Sequence, residues 1–354
     1  MKYSARIYCL SAWIMAGLLS FSGLAYGGSL IENASVQVAL DSETGSFSIR
    51  DNRTGYTWRQ VVPERPAVTA VKGLRRSEDT ISARIEMADG FGYRMTLGLD
   101  GDSPEVTVSL TGDEMPAFLN YPFPFCPEEK ADMLLAMKSG LLLPVTDDTV
   151  FFKNNARRQY QYYEGHNSSM PFHGLINPSG DGLMRLVETP NDVGYELARR
   201  DGRLINQIRW QPQFGKVGYS RTVRYVLFDR GGYVAMADRF RNYAEQNGMV
   251  KTLRQKAVEN PNVDKLIGAA NVWVQDYDNV LDSCFPLAQE MMDLGMSNVI
   301  FNGKSSWWND MSADDIRKVN ALGYLYCRYD IYQDVFDPSK SDLIHVNPSW
   351  VPEA

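Results

Sequence analysis

The feature that most constrains this chain is the change in its hydrophobic period at Gly231–Gly232. Before that point, apolar and polar residues alternate in short runs such as Val36–Leu40 and Ser46–Arg50, separated by turns rich in Asp, Asn and Gly. A two-residue period indicates strands with one buried face, and many such runs are typical of an antiparallel sandwich. After that point, Tyr233–Asn247 has the 3.6-residue spacing of a helix. The sequence therefore predicts a large antiparallel β-sandwich over residues 28–250.

A different pattern, in which strands alternate with helices, follows Pro261. The predicted strands are Leu266–Val274, Ser297–Asn302 and Tyr324–Tyr329, and the predicted helices are Val280–Leu294 and Asp314–Leu322, with Ser312 as an N-cap. Strands that alternate with helices in this way indicate a parallel α/β sheet. We predict a linker over 251–263, followed over 264–354 by the first three βα units of a (β/α)8 TIM-type barrel.

The barrel predicted here is partial. A complete (β/α)8 barrel takes roughly 250 residues, and its active site forms where the strands end. Residues 264–354 supply only about a third of that length. We therefore expect a truncated barrel whose catalytic carboxylates lie beyond Ala354.

The first 27 residues have the three parts of a secretory signal. Lys2 and Arg6 are basic, the stretch from Ile7 to Phe21 is mostly apolar, and small residues follow at Ala25 and Gly27. An uncleaved membrane anchor is the alternative, but this stretch is shorter than the roughly 20 residues that a span needs. We predict an exported protein, periplasmic or extracellular, with no membrane span after cleavage of residues 1–27.

The net charge and the composition of the chain limit the classes of molecule that it is expected to bind. The net charge is −7, which argues against nucleic acid, because nucleic-acid binding requires a basic surface. The aromatic content of 12% suits carbohydrate recognition by stacking of rings on sugars. Cys126, Cys284 and Cys327 have no short spacing, so the sequence favours three buried thiols over one disulfide. His166 and His173 are predicted to be polar groups of a loop.

Two other segments have compositions that favour loops. Prolines in Tyr121–Phe125 exclude a central strand, because proline cannot donate to the hydrogen-bond ladder. The stretch from Phe152 to Phe172 is rich in aromatic and polar residues. It is predicted to be a loop packed between the sheets, or one that reaches a neighbouring site.

Aromatic, carboxylate and amide side chains follow all three strands of the predicted barrel. At the carboxyl ends of barrel strands such groups can line a sugar pocket, because rings stack on sugar faces and carboxylates accept pairs of hydroxyl donors. Taken singly, each residue is better explained as a loop polar group or a helix cap. Taken together, they predict a substrate-binding set of Trp273, Asp276, Asn302, Tyr329, Asp330 and Asp334.

Three segments resemble glycoside hydrolases of families 129 and 101: Tyr243–Leu253, Leu266–Val274 and Tyr329–Asp334. The resemblance implies a retaining α-N-acetylgalactosaminidase-like enzyme that acts on O-glycan sugars. In those families the nucleophile lies around the fourth strand and the acid/base on a later one, and no position here matches either role. Asp330 is the residue that the resemblance most clearly carries over, as a substrate contact. The residues indicate no cofactor, although some relatives bind calcium, for which no ligands are assigned.

Three functional hypotheses remain open at this stage. The first is an exported glycoside hydrolase that is truncated and inactive as it stands. The second is an exported, non-catalytic carbohydrate-binding protein, and the third is a structural protein of the cell envelope. The unfinished barrel is the feature that distinguishes the first. A stable, cooperative fold with saturable glycan binding and no turnover indicates the second, and the absence of both binding and turnover indicates the third.

Overall fold

The structure is a computed structural model that describes residues 28–112, 114, 118–137, 140–147, 158–161, 168–211, 216–273, 283–302 and 312–327. The chain divides into two compact units, Met1–Tyr243 and Ala244–Ala354. We call them the β-unit and the αβ-unit and describe each by itself.

The described strands of the β-unit follow one another along the chain with short turns between most of them. They are β1 (Gly28–Glu32), β2 (Val36–Asp41), β3 (Phe47–Asp51), β4 (Thr57–Arg59), β5 (Val68–Arg76), β6 (Thr80–Met87), β7 (Gly92–Leu99), β8 (Glu105–Thr111), β9 (Asp132–Met137), β10 (Leu141–Pro144), β11 (Arg158–Gln161), β12 (Ser168–Ile176), β13 (Gly182–Val187), β14 (Val193–Arg200), β15 (Arg203–Trp210) and β16 (Arg221–Phe228).

These strands form three antiparallel sheets. One has the order β1-β2-β3-β4, the second has nine strands in the order β10-β9-β12-β13-β16-β8-β7-β6-β5, and the third has the order β11-β14-β15. The tight turns between neighbouring strands use residues that tolerate left-handed backbone, for example Gly45 at φ 69° and Gly55 at φ 78°. The β-rich antiparallel fold predicted from the alternating runs is confirmed.

One apolar core joins the three sheets. The inward side chains include Val38 of the first sheet, Ile85 and Val108 of the second, and Leu197 and Ile208 of the third, all 0% exposed. Side chains alternate between the two faces of a strand, so a sequence with a period of two places the apolar residues of each strand on the same face of its sheet. The sheets therefore pack through their apolar faces.

Helix α1 (Gly232–Gln246) covers part of the other face of the nine-stranded sheet. Met236 is fully buried against that sheet, and the Phe240 ring packs on Phe172 with centroids 5.1 Å apart. Arg239 donates from Nε and Nη2 to the carboxylate of Glu105 on β8 at 2.6 and 2.8 Å. A bidentate pair of this kind fixes the helix in one register on the sheet.

The αβ-unit contains a small parallel sheet with helices between its strands. Its elements are α2 (Leu253–Glu259), a 3-10 helix (Pro261–Leu266), β17 (Ala270–Trp273), α3 (Phe285–Asp293), β18 (Val299–Asn302), α4 (Ala313–Ala321) and β19 (Leu325–Cys327). The strands lie in the order β17-β18-β19, all parallel, and Met291, Phe301, Val319 and Tyr324 are among the residues of the unit's own apolar core. Ser312 caps α4 as predicted, since its Oγ accepts from Asp315 N at 3.1 Å. Among the described segments, no helix combines the length and apolarity needed to cross a bilayer.

The strand predicted over Leu266–Val274 begins later than expected. Leu266 closes the 3-10 helix, which Pro261 begins and which the Asn260 side chain caps by accepting from Asn262 N at 3.1 Å. Gly268, at φ 71°, then turns the chain into β17. Apolar character alone could not separate the end of a short helix from the start of a strand.

The stretch Phe152–Phe172 also differs from its prediction. It contains β11 and the start of β12, so the described part of it is strand rather than loop. Among the described cysteines none forms a disulfide, and Cys284 alone is buried, whereas Cys126 is half-buried and Cys327 is exposed. The loop prediction failed because composition carries no information on strand pairing, and the expected burial holds for one of the three thiols.

Candidate functional site

The carboxyl ends of the three parallel strands meet in one row. Trp273 of β17 pairs in register with Asn302 of β18, and Asn302 pairs with Cys327 of β19. Residues 270 and 272 pack towards the helices, so 271 and 273 lie on the opposite face of the sheet. The row therefore lies at the end of the sheet where barrel-type proteins build their sites.

Asn302 is the fixed polar group of this row. Its side chain is 5% exposed, and Nδ2 donates to the Asn271 side-chain carbonyl and to the Val272 backbone oxygen, the latter at 3.2 Å. Buried amides are held in this way because leaving their hydrogen bonds unmade is costly. The contacts fix the direction of the Asn302 amide and align the ends of β17 and β18.

Trp273 is the aromatic group of the row. It is 46% exposed although it lies on a strand. An indole that is partly supported by the sheet and partly open offers a ring face for stacking. Trp273 and Asn302 together present one aromatic surface and one oriented amide.

The other predicted site residues cannot be placed. Asp276, Tyr329, Asp330 and Asp334 lie outside the described residues. The structure thus brings together two of the six, Trp273 and Asn302, on neighbouring strands. Their grouping follows from strand register, which the sequence pattern could anticipate.

The resemblance to families 129 and 101 allows for calcium, but the described part of the chain contains no evident calcium site. Within these residues no three His, Cys, Asp or Glu side chains cluster in a way that could hold a metal ion. The row at the strand ends contributes an indole, an amide and a thiol, which are not the oxygen-rich set that calcium prefers. No chemistry is assigned to a metal here.

A polar cluster inside the β-unit was missed by the sequence reasoning. His173, predicted to lie in a loop, belongs to β12 and is 8% exposed, next to Arg185 of β13. Arg185 donates to the backbone and side-chain oxygens of Asn206 at 3.1 and 2.6 Å. These three residues line a small cavity with Phe125 and other core groups. A histidine in a strand-like run flanked by Phe172 and Leu175 was the available signal.

The electrostatics of this cluster favour a neutral imidazole. Burial, and secondly the positive charge of Arg185, hold the pKa of His173 well below its usual value of 6.5. Its Nδ1 has no hydrogen-bond partner among the described groups. Because the cluster lies between sheets rather than at a surface, we regard it as structural.

Comparisons with known proteins address the fold. No protein-family model matches the sequence, and no curated protein matches it. Solved structures of alpha-N-acetylgalactosaminidase NagBb from Bifidobacterium bifidum are similar to this chain. The ligand-free form has a TM-score of 0.69 at 17% identity over 85% of this chain and 59% of that one. The GalNAc complex has a TM-score of 0.69 at 16% identity, over 88% and 61%.

The fold is glycoside hydrolase-like. A third NagBb structure, with Gal-NHAc-DNJ, agrees at a TM-score of 0.67 and 18% identity, over 85% of this chain and 58% of that one. At such identities the likeness concerns the fold alone. The chain spans about three fifths of the length of these structures.

Proposed function

We propose that this chain is an exported, glycoside hydrolase-like protein that recognises α-linked N-acetylgalactosamine. The similarity to NagBb over 85–88% of this chain supports the substrate class. In this proposal the αβ-unit is the first part of a (β/α)8 barrel, related to families 129 and 101. Residues 1–27 act as the export signal, which would bring the protein to extracellular glycans.

The observation that carries the proposal is the register of Trp273 and Asn302 at the strand ends. The indole would stack on the apolar face of the sugar, and the oriented amide would bind a hydroxyl or the N-acetyl group. Asp276, Tyr329, Asp330 and Asp334 would add hydroxyl contacts from the segments that follow the strands. These residues would bind and orient the sugar, and the catalytic carboxylates would belong to later strands of the barrel.

A non-catalytic carbohydrate-binding protein is the second candidate. Among the described residues, the carboxyl ends of β17, β18 and β19 carry Trp273, Asn302 and Cys327, with no carboxylate. Glycoside hydrolysis normally uses two carboxylates on either side of the scissile bond. The described row therefore offers groups for sugar binding, and carboxylates for cleavage would have to come from outside it.

The test uses the intact protein with p-nitrophenyl α-N-acetylgalactosaminide for turnover and with N-acetylgalactosamine for calorimetric binding. We expect saturable binding that Trp273→Ala weakens by about tenfold, since loss of an aromatic contact at the centre of a site costs on the order of 1–2 kcal/mol. Tyr233→Ala, which removes an aromatic residue 53% exposed on α1, is the matched control and should bind normally. Because the catalytic carboxylates are proposed to lie on later strands, binding without turnover is the expected result, and turnover would mean that this chain itself carries the carboxylates. Absence of both activities would overturn the proposal.

A further inference from the structure

The nine-stranded sheet has a polar outer face over its last strands. Beyond β16 the sheet continues through β8, β7 and β6 to the edge strand β5. Burial alternates residue by residue along β6, and the residues that face outward there are Thr80, Ser82, Arg84 and Glu86. None of these is apolar, so this part of the sheet presents hydroxyl groups and charges to solvent.

Three basic side chains lie directly opposite one another on this face. Lys72 of β5 pairs with Arg84 of β6, and Arg84 pairs with Arg94 of β7. Directly paired residues share a face, and neighbouring strands are about 4.8 Å apart, so the three Cα atoms span ~10 Å. The Lys72 side chain is 62% exposed and that of Arg84 is 59% exposed, and Arg94 is exposed as well. We call these three residues the basic row.

Carboxylates neutralise the basic row only in part. Glu86 lies 2.7 Å from Lys72 Nζ and 3.7 Å from Arg84 Nε, so two cations share one carboxylate. Arg94 forms no ion pair with any residue that the structure describes. Arg75, placed opposite Ser82 on the same face, is a fourth cation without a described ion pair. This face therefore carries excess positive charge in a chain whose net charge is −7.

Protection of the sheet edge accounts for only one member of the basic row. Edge strands often carry lysine, which discourages pairing with another chain, and Lys72 lies on the edge strand β5. Arg84 and Arg94 lie on β6 and β7, which are paired on both sides. Like charges directly opposite each other destabilise a sheet. The row therefore lowers stability, and a structural role does not explain it.

The neighbours of the row favour a glycan among anionic ligands. Thr111 lies opposite Arg94, and Ser82, Thr96 and Ser109 form the next row on the same face. Hydroxyl groups donate and accept, which suits sugar hydroxyls, and guanidinium groups bind sulfate or carboxylate through paired N–H donors. Nucleic acids are bound on extended basic surfaces with aromatic platforms, and these two rows contain no aromatic side chain.

We propose that the outer face of β5, β6 and β7 binds an acidic glycan. Its sulfate or carboxylate groups lie on Lys72, Arg84 and Arg94, and its hydroxyl groups lie on the adjoining serine and threonine row. The preference for a glycan rests on the proposed carbohydrate function. The anion-binding surface itself rests on strand register and uses neither Trp273 nor Asn302.

The test is fluorescence polarisation of the intact protein with labelled heparin, which is sulfated, and with labelled hyaluronan, whose anionic groups are carboxylates only. We expect saturable binding that weakens with increasing salt, because exposed charges are screened. Arg94→Thr should raise the apparent Kd on the order of fivefold, since it removes charge-assisted hydrogen bonds. Arg50→Thr, which removes an exposed arginine from β3 in the four-stranded sheet, is the matched control and should bind normally. Binding of heparin alone assigns sulfate as the anionic group, and binding of hyaluronan shows that carboxylates suffice.

Thermal melting separates a binding role from a structural one. Arg94→Thr should melt at the same temperature as wild type or higher, because threonine suits a strand and one pair of like charges is removed. A lower melting temperature with unchanged glycan binding would make Arg94 structural and overturn the proposal.

Three further results would also overturn it: no saturable binding of either glycan by wild type, equal loss of binding in Arg50→Thr, or equally tight binding of single-stranded DNA or polyglutamate. Calorimetry with N-acetylgalactosamine distinguishes this surface from the Trp273–Asn302 row, since Arg94→Thr should bind that sugar normally. Binding of an acidic glycan without binding of N-acetylgalactosamine supports the surface and counts against the proposed function. The reverse pattern overturns the surface alone.

Discussion

At the scale of single residues, His173 links the stability of the β-unit to pH. It is buried beside Arg185, and its pKa in the folded state lies well below 6.5 because of burial first and the arginine charge second. The unfolded chain therefore binds a proton more readily than the folded one as the pH falls below 6.5. Stability must then decrease with decreasing pH in that range.

We expect His173→Gln to remove this dependence. Between pH 6.5 and 5, wild type should lose free energy of unfolding more steeply than the variant, by up to about 1.4 kcal/mol per pH unit for one proton. Urea unfolding of both proteins at pH 7.5, 6.5, 5.5 and 5.0 gives the difference. Glutamine keeps a polar side chain and does not titrate, so carboxylate titration cancels in the comparison. Parallel pH profiles would show that the imidazole is not held neutral.

At the scale of elements, the packing of α1 on the nine-stranded sheet depends on two glycines. A Cβ added at Gly174 would overlap Met236 Sδ, and one at Gly182 would lie 2.8 Å from Met236 Cε. Met236 is 0% exposed, so its side chain has little room to move away. These glycines leave the space into which the helix inserts its methionine.

Gly174→Ala should therefore destabilise the protein by about 1–3 kcal/mol, as overpacked cores do. Gly98→Ala on β7 is the matched control, because an added Cβ there meets nothing within 4 Å. That variant should be neutral or slightly stabilising, since alanine restricts the unfolded chain. Chemical unfolding of both variants measures the difference, and equal stabilities would mean that the helix shifts without cost. A double-mutant cycle that combines Gly174→Ala with Met236→Ala would show whether the destabilisation comes from contact with the Met236 side chain.

The sequence predicted strands and helices most accurately where one hydrophobic period extended over the whole element. The runs at Ile81–Met87 and Arg221–Phe228 became β6 and β16 almost residue for residue, and Tyr233–Asn247 became α1. The order of the strands within the sheets could not be predicted from the sequence. For example, β16 lies between β13 and β8, and these pairings join distant parts of the chain. Alternation specifies which face of a strand is buried, not which strand lies beside it.

The candidate site could be anticipated only in part. Trp273 and Asn302 were predicted from their positions at strand ends, because parallel strands bring those ends together. His173 was assigned to a loop because nearby Gly and Asn suggested turns, although the pairing of β12 with β13 decides its burial.

At the scale of the whole molecule, each unit has its own apolar core. The residues that form the cores of the β-unit all precede Ala244, and those of the αβ-unit all lie after Gly268. Between them, α2 has no buried residue and the 3-10 helix has none either. The capping box of Thr252 and Gln255 stabilises α2 by only on the order of 1 kcal/mol, so local opening of this connector should be easy.

Limited trypsin digestion should consequently begin in the connector. Lys251, Arg254, Lys256 and Lys265 are all exposed there, whereas Arg185 and Arg221 within the strands are buried. We expect an early fragment that ends near Lys251 and that resists further cleavage at Arg185 and Arg221, identified by intact mass. Replacing Lys251, Arg254 and Lys256 with Gln together should slow its release severalfold without changing the melting temperature. If cleavage at Arg185 or Arg221 came first, the β-unit would be the less stable part, and the separate-core account would fail, because a strand must open before a protease can bind it.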